Sequence, residues 1–344
     1  MVEVLRANFC SPLTLAFAFG IFARVIRSEL ALPRDLYASL SFYLLFAIGL
    51  RGGVELSHSN PLDLAFPAIA TLLTGCITPL TSWLVLRRIG RFSISDAAGI
   101  AAHYGSVSAV TFVAAQQFAA SRGLVVEGYM PALLAMLEIP GIQIAIGLGL
   151  WQLRREQCRR ESGPGLEGDS GRRSGQSARA VLHELLTGRS LLLLVGGLLI
   201  GLVAGAEGCK PVQPLFDGLF RGALTLFLLE MGLTAGAKLS DLPRAGVFLV
   251  AFGILVPIAH GCPGVWLGSL AGLSTGGCMV LGTMASSASC IAAPPAVRMS
   301  LPEANPAFSL TAALAITFPF NLLFGIPLYH HVAAMLASQA VAYD

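Results

Sequence analysis

The chain has 344 residues, of which 55% are hydrophobic and 12% are charged, and its formal net charge is +3. Its mean hydropathy is +0.74, whereas average soluble domains carry about 25% charged residues. This composition excludes an ordinary water-soluble domain and indicates an all-α polytopic membrane protein. The seven cysteines and six histidines are scattered without CxxC or HExxH patterns, so neither a disulfide framework nor a zinc site is expected.

Apolar stretches of membrane-spanning length recur along the chain and predict ten transmembrane helices. Their predicted limits are 11–27, 36–52, 63–87, 95–120, 129–151, 189–206, 213–236, 244–271, 275–297 and 306–332. The first stretch is interpreted as a retained helix rather than a signal peptide, because its arginines follow the apolar run. Residues 152–188 are rich in Arg, Gly, Ser and Glu and form a polar linker between the fifth and sixth spans.

The distribution of basic residues predicts how the chain is oriented. If the arginine-rich linker faces the cytoplasm, most of the 22 Lys and Arg residues lie on the cytoplasmic side, as the positive-inside rule requires. Because five spans precede the linker, both termini are then expected outside.

Three pairs of segments repeat between the two halves of the chain. Residues 48–57 (IGLRGGVELS) align with 231–240 (MGLTAGAKLS), residues 105–109 (GSVSA) align with 286–290 (SSASC), and Glu138-Ile139-Pro140 aligns with Thr317-Phe318-Pro319. An odd number of spans in each half inverts the second half in the membrane. We therefore expect a five-plus-five inverted repeat, with residues 1–151 and 189–344 as its halves.

Two predicted spans have polar centres that disfavour a continuous helix. Span nine contains SSASCIAAPP at 286–295, and span four contains Gly105, Ser106 and Ser108. Proline lacks a backbone N–H, so span nine is expected to break at its two prolines. Paired half-helix N-termini suit a small anion, and nearby hydroxyl and carbonyl oxygens suit sodium. The alternative is simple packing, with serines bonding back to their own helix.

At these motifs the chain resembles the sodium-dependent bicarbonate transporter family, the SbtA-type permeases of carbon-concentrating bacteria. The matching segments lie at 48–61, 103–112, 138–140, 219–232, 256–261 and 285–306. The resemblance implies broken helices four and nine, a division into core and gate domains, and a homotrimer. It also implies a cytoplasmic PII-like nucleotide-binding protein as an inhibitory partner.

The resemblance also implies which residues form the site. Bicarbonate would be held by Gly105, Ser106, Ser108, Ser287 and Ser289, and sodium, the coupling ion, by oxygens around Ser106, Ser286, Ser287 and Ser289. The chain departs from the family at Cys290, where the family has an aspartate, and at Glu138, where the family has the aspartate of its M-D-I-P motif. An ionisable group inside an apolar span is a functional candidate by default, so Glu138 is a further candidate sodium ligand or proton-exchange group.

These features favour a secondary active transporter of the bacterial inner membrane that takes up bicarbonate with sodium by alternating access. One alternative is a sodium- or proton-coupled carrier of another small anion, such as a carboxylate or sulfate. Another is an ion-sensing membrane receptor that does not transport. The sequence has no phosphate-binding loop, nucleophile–base pair or redox motif, so an enzyme is not expected.

Overall fold

The computed structural model describes residues 11–58, 60–138, 140–161, 183, 187, 189–239 and 242–341, and its regular structure in these ranges is helical. Eight helices in this part of the chain are long and apolar enough to cross a membrane. They are Asp35–His58, Leu62–Arg88, Ile94–Ser121, Met130–Glu156, Leu191–Val212, Pro214–Lys238, Gly246–Leu270 and Pro306–Gln339. Two shorter apolar helices, Pro12–Val25 and Thr275–Ala285, lie within the predicted first and ninth spans.

The helices are numbered here in chain order, with breaks counted as boundaries. They are α1 (Pro12–Val25), α2 (Arg34–His58), α3 (Pro61–Arg88), α4 (Ile94–Gly105), α5 (Ala109–Ser121), α6 (Met130–Glu138), α7 (Pro140–Glu161), α8 (Arg189–Cys209), α9 (Phe220–Lys238), α10 (Leu242–Leu270), α11 (Thr275–Ala285), α12 (Ala293–Ser300), α13 (Pro306–Leu310), α14 (Phe318–Phe320) and α15 (Ile326–Val341). Two π-helical stretches, Thr311–Thr317 and Asn321–Gly325, join α13, α14 and α15.

The fifth span extends beyond its predicted end. α7 continues to Glu161, ten residues past the predicted limit at 151, because Arg, Gln and Glu are good helix formers although they are polar. Arg155 lies over the ring of Trp151 on this extension, 5.5 Å from its centroid. Of the predicted linker, only 152–161, 183 and 187 are described, and the remainder lies outside the described residues.

Glycines bring the two halves of the chain into close contact in two helix pairs. α2 packs along α8, and α1 packs along α9. A Cβ atom at Gly49 would collide with the Leu194 carbonyl of α8, and one at Gly232 would collide with the Phe17 carbonyl of α1. Small residues allow such backbone contact between membrane helices. Gly49 and Gly232 are equivalent positions of the repeated motif, so the motif performs the same task in both halves.

Several of the remaining helices pack around a second buried apolar cluster. Ile100 of α4, Ile142 of α7, Leu249 of α10 and Val297 of α12 lie in this cluster, all at most 5% exposed. Because lipid tails are as apolar as these side chains, close packing rather than transfer from water holds such helices together. We call α1, α2, α8 and α9 the outer group, and α3–α7 with α10–α15 the inner group.

The glycine contacts predict a contrast between two positions of α9. Gly232→Ala should lower the free energy of unfolding by about 1 to 3 kcal/mol, because the new methyl group meets the backbone of α1. Gly222 has no neighbour within 4 Å of an added Cβ, so Gly222→Ala should be neutral or stabilising by up to about 1 kcal/mol. Thermal unfolding of both variants in detergent measures the difference. Equal stability of the two variants would contradict the close packing of α1 and α9.

Candidate functional site

Span four is interrupted where the sequence predicts. α4 ends at Gly105, and Ser106 has extended backbone angles (φ −110°, ψ 157°). Ser108 is also extended and caps α5 by accepting a hydrogen bond from the Thr111 N–H at 3.3 Å. A serine at this position satisfies one of the donors that every helix start leaves unpaired. Residues 106–108 therefore form a non-helical segment between two half-helices.

Gly105 ends α4 at a point of close backbone contact. A Cβ atom at Gly141 of α7 would collide with the Gly105 carbonyl, and a Cβ atom at Gly105 would lie 2.7 Å from the Cβ of Pro79. Only glycine fits on both sides of this contact. The structure therefore gives Gly105, a predicted anion ligand, a packing role against α3 and α7.

Span nine is also interrupted, but not at its prolines. α11 ends at Ala285, and α12 begins at Ala293. Pro294 and Pro295 lie in the first turn of α12, where a helix makes no use of the N–H that proline lacks. The break thus falls on the serine-rich residues 286–292, and the expectation of a break at the prolines is wrong: they start the next half-helix.

The two interrupted segments are hydrogen-bonded to each other. The Ser289 N–H donates to the His103 carbonyl at 2.8 Å, and the Ser108 N–H donates to the Ser287 hydroxyl at 2.9 Å. The Ser287 hydroxyl in turn donates to the Met284 carbonyl at 2.8 Å. The structure thus brings the predicted serines together, and Ser106, Ser108, Ser286, Ser287 and Ser289 are each at most 4% exposed.

Among these serines, Ser106 is distinct because its hydroxyl is buried without a hydrogen-bond partner among the described residues. Ser286 and Ser287 direct their protons to main-chain carbonyls, and the Ser289 oxygen accepts the Ala292 N–H at 3.2 Å. A buried hydroxyl without a partner loses its hydration without compensation. Ser106 is therefore the predicted residue best prepared to bind a ligand.

A polar cluster from the last span supports Ser286 and was not predicted. Asn321 donates from Nδ2 to the Ser286 carbonyl at 2.9 Å, and its Oδ1 lies 3.1 Å from the Ser286 hydroxyl. Tyr329 donates to the Pro257 carbonyl at 3.0 Å. Asn321 is fully buried and begins a π-helical stretch, a feature common at functional sites. The sequence does contain a signal for Asn321, namely a side-chain amide within an apolar span, but a search restricted to ionisable residues does not find it.

Carboxylates stabilise the N-terminal ends of α4 and α11, which are the ends farther from the serines. Ser93 caps α4 by accepting the Asp96 N–H at 3.0 Å. Asp96 accepts the Asn305 N–H at 2.7 Å, and Glu127 accepts the N–H of Ser274, the N-cap of α11, at 2.5 Å. Negative charge at a helix N-terminus is favourable. Both first half-helices are therefore anchored at the ends remote from the serines.

Glu138 and Cys290 are the two positions at which the chain departs from the aspartates of the family that it resembles. Glu138 is the last residue of α6, half-buried, and precedes by three residues Gly141, which contacts Gly105. Cys290 follows Ser289 within the interrupted segment. A neutral thiol is only a weak acceptor, so the only carboxylate among the candidate residues is that of Glu138.

A cavity of about 980 Å³ opens between the outer and inner groups. Its lining includes Arg51 and Glu55 of α2, Gln116 and Gln117 of α5, and Arg221 of α9. Ile48 also lines it, and the same side chain lines a crevice of about 20 Å³ whose other walls include Ala109, Val110 and Ile291. Ile48 therefore borders both the large cavity and the crevice beside the start of α5.

Comparison with known proteins identifies the family to which this chain belongs. No curated protein matches the chain significantly. The model of a family described as the Na+-dependent bicarbonate transporter superfamily matches residues 12–334, a range that contains both interrupted segments. This match identifies a multi-pass membrane protein of a transporter family rather than an enzyme. With its two interrupted, mutually hydrogen-bonded helices, the chain belongs to the Na+-dependent bicarbonate transporter superfamily.

Proposed function

We propose that this protein imports bicarbonate together with sodium by alternating access across a bacterial inner membrane. Family membership suggests the substrate and the ion. The observation that carries the proposal is the buried contact between the two interrupted segments, where the Ser106 hydroxyl lies without a partner. Non-helical backbone at membrane depth is tolerated where protein or a polar cavity satisfies it, and a ligand site is the usual reason for such a structure.

The anion is assigned to the start of α5. The first N–H groups of a helix, here those of Ala109 and Val110, have no partner within the helix, and the helix dipole adds positive potential. At α12 the corresponding positions include Pro294 and Pro295, which have no N–H. α5 therefore offers more donors than α12. With the hydroxyls of Ser106 and Ser108, these donors suit one small oxyanion, while Ser287 positions Ser108.

In this proposal, the anion enters from the outside through the cavity lined by Arg51 and Arg221. The Arg51 side chain lies over the Phe220 ring, 4.3 Å from its centroid, and donates to the Phe216 carbonyl at 2.5 Å. Positive side chains in a cleft raise the local concentration of anions. Displacement of the outer group relative to the inner group at Ile48 would then connect the cavity with Ala109 and Val110.

Sodium is assigned to the hydroxyl and carbonyl oxygens around Ser106, Ser286, Ser287 and Ser289. Ser286 and Ser287 donate to carbonyls, which leaves lone pairs of their hydroxyl oxygens for a cation. Cys290 favours a second candidate, proton-coupled transport of the same or another small anion, because it supplies no carboxylate for sodium. The homotrimer and the PII-like partner stay predictions from the resemblance.

Ser106→Ala should reduce anion affinity about 10- to 100-fold, the equivalent of one hydrogen bond to a charged ligand. It should leave the melting temperature unchanged or raise it, since this buried hydroxyl has no protein partner to lose and carries a desolvation cost. The measurement is sodium-dependent uptake of labelled bicarbonate into proteoliposomes, with thermal unfolding as the folding control.

Ser82→Ala is the matched control for this variant. Ser82 of α3 is fully buried, and its hydroxyl likewise has no partner among the described residues, but it lies outside the interrupted segments. We expect its uptake to equal that of the wild type. Equal uptake by Ser106→Ala, or no uptake by folded wild-type protein above empty liposomes, would refute the assignment.

The predicted orientation implies that two native cysteines are accessible to labelling from opposite sides of the membrane. Cys209 lines the large cavity, which is expected to open to the outside, whereas Cys158 lies beyond residue 151, the predicted end of the fifth span, on the predicted cytoplasmic side. In variants that retain one of these cysteines and replace the other six by serine, a membrane-impermeant maleimide should label Cys209 in intact cells. Cys158 should react only after permeabilisation, and the reverse pattern would overturn the orientation.

A further inference from the structure

Arginine side chains lie over aromatic rings on both predicted sides of the membrane, and the pairs differ in how exposed the ring is. On the predicted outer side, Arg122 lies 5.4 Å from the centroid of the Phe118 ring, and Arg51 lies 4.3 Å from that of Phe220. Both rings are buried, at 7% and 2% exposure respectively. On this side, therefore, the aromatic partner of the arginine belongs to the protein interior.

On the predicted cytoplasmic side, the rings beneath the arginines are exposed instead. Arg155 lies 5.5 Å from the centroid of the Trp151 ring, and Arg189 lies 5.8 Å from that of Phe42. Trp151 is 57% exposed and Phe42 is 48% exposed. Both rings lie on helices long and apolar enough to cross a membrane, so we expect their exposed faces to contact lipid. Tryptophan is enriched at the boundary between lipid and water.

Arg155 and Arg189 also retain hydrogen-bond donors for a ligand. Both side chains are exposed, and neither forms an ion pair with a carboxylate among the described residues. Arg189 donates from Nη2 to the Ala38 carbonyl at 3.1 Å, which uses one of the five N–H groups of a guanidinium. Each arginine is therefore held in place by an aromatic ring while most of its donors stay available to an anion.

The two arginines lie at the ends of spans, on either side of residues 156–188, the greater part of the predicted linker. Arg155 lies one helical turn after Trp151, on the extension of α7 beyond the predicted end of the fifth span. Arg189 is the first residue of α8. The ends of membrane-spanning helices lie at the level of the lipid headgroups, which is where the phosphate groups of a bilayer are.

We propose that Arg155 and Arg189 each bind the phosphate of an anionic phospholipid, with the exposed ring contacting the acyl chain of the same lipid. A guanidinium and a phosphate match in charge and can form two parallel hydrogen bonds. The ring favours a lipid over free phosphate, because only a molecule with an acyl chain can use the apolar contact. The two lipids thereby hold both ends of the linker at the bilayer surface, whichever anion the protein transports.

Quenching of Trp151 fluorescence by brominated lipids tests the first site in the full-length protein. Trp83→Phe and Trp266→Phe leave Trp151 as the only tryptophan of the chain. The protein is reconstituted in vesicles of phosphatidylcholine with a minority of phosphatidylglycerol, and the acyl chains of one lipid or the other carry bromine. Phosphatidylglycerol should be enriched around Trp151 about fivefold over its share of the bilayer, the effect of one arginine near an anionic surface.

Arg155→Gln should abolish this enrichment, and Arg155→Lys, which keeps the charge, should retain more of it. Phe42→Trp, in a chain whose three native tryptophans are replaced by phenylalanine, reports in the same way on Arg189→Gln. Arg122→Gln is the matched control, because it removes an arginine whose aromatic partner is buried, and it should leave the enrichment at both reporters unchanged. Thermal unfolding of each variant checks that it is folded.

Three results would rule out the lipid sites. One is equal quenching by the two brominated lipids when both arginines are present. The second is full enrichment at the respective reporter in folded Arg155→Gln or Arg189→Gln. The third is loss of the enrichment when inorganic phosphate replaces chloride at the same ionic strength, which would assign the arginines to a water-soluble phosphate compound. Because no transport is measured, these results are independent of bicarbonate uptake.

Discussion

The hydrogen bond from the Ser289 N–H to the His103 carbonyl is the contact on which the site depends. In a membrane, a backbone group released from a helix must find a partner within the protein. Here each interrupted helix supplies a partner for the other, and the bond from the Ser108 N–H to Ser287 completes the exchange. The breaks are therefore stable only as a pair, which explains why both are needed for one site.

In the outer group, too, each half of the chain supplies packing partners for the other half. α2 of the first half packs on α8 of the second, and α9 of the second packs on α1 of the first, through equivalent glycines of one repeated motif. Such pairings are what the predicted inverted repeat of the two halves would require.

The sequence predicted the eight long apolar helices and both interruptions because the signals are local: apolar length, and serine and glycine clusters. It did not reveal contacts that depend on distant partners. The role of Gly105 follows from the approach of Gly141, and the role of Asn321 follows from the position of Ser286, and neither contact is visible in a local pattern. The helical extension of α7 to Glu161 was missed because hydropathy detects the apolar part of a helix and not its polar continuation. The break of span nine was displaced because Pro294 and Pro295 are as well suited to starting a helix as to ending one.

The glycine contacts between the halves have a consequence for biosynthesis. When the ribosome has completed α1 and α2, the helices that cover Gly49 and Gly20 have not yet been made, since α8 and α9 follow the linker. α1 and α2 must therefore wait in the bilayer without these partners until the second half is inserted, whereas α3, α4, α6 and α7 of the first half can already pack against one another. Assembly of α1 and α2 into the folded protein is then a late event that depends on α8 and α9.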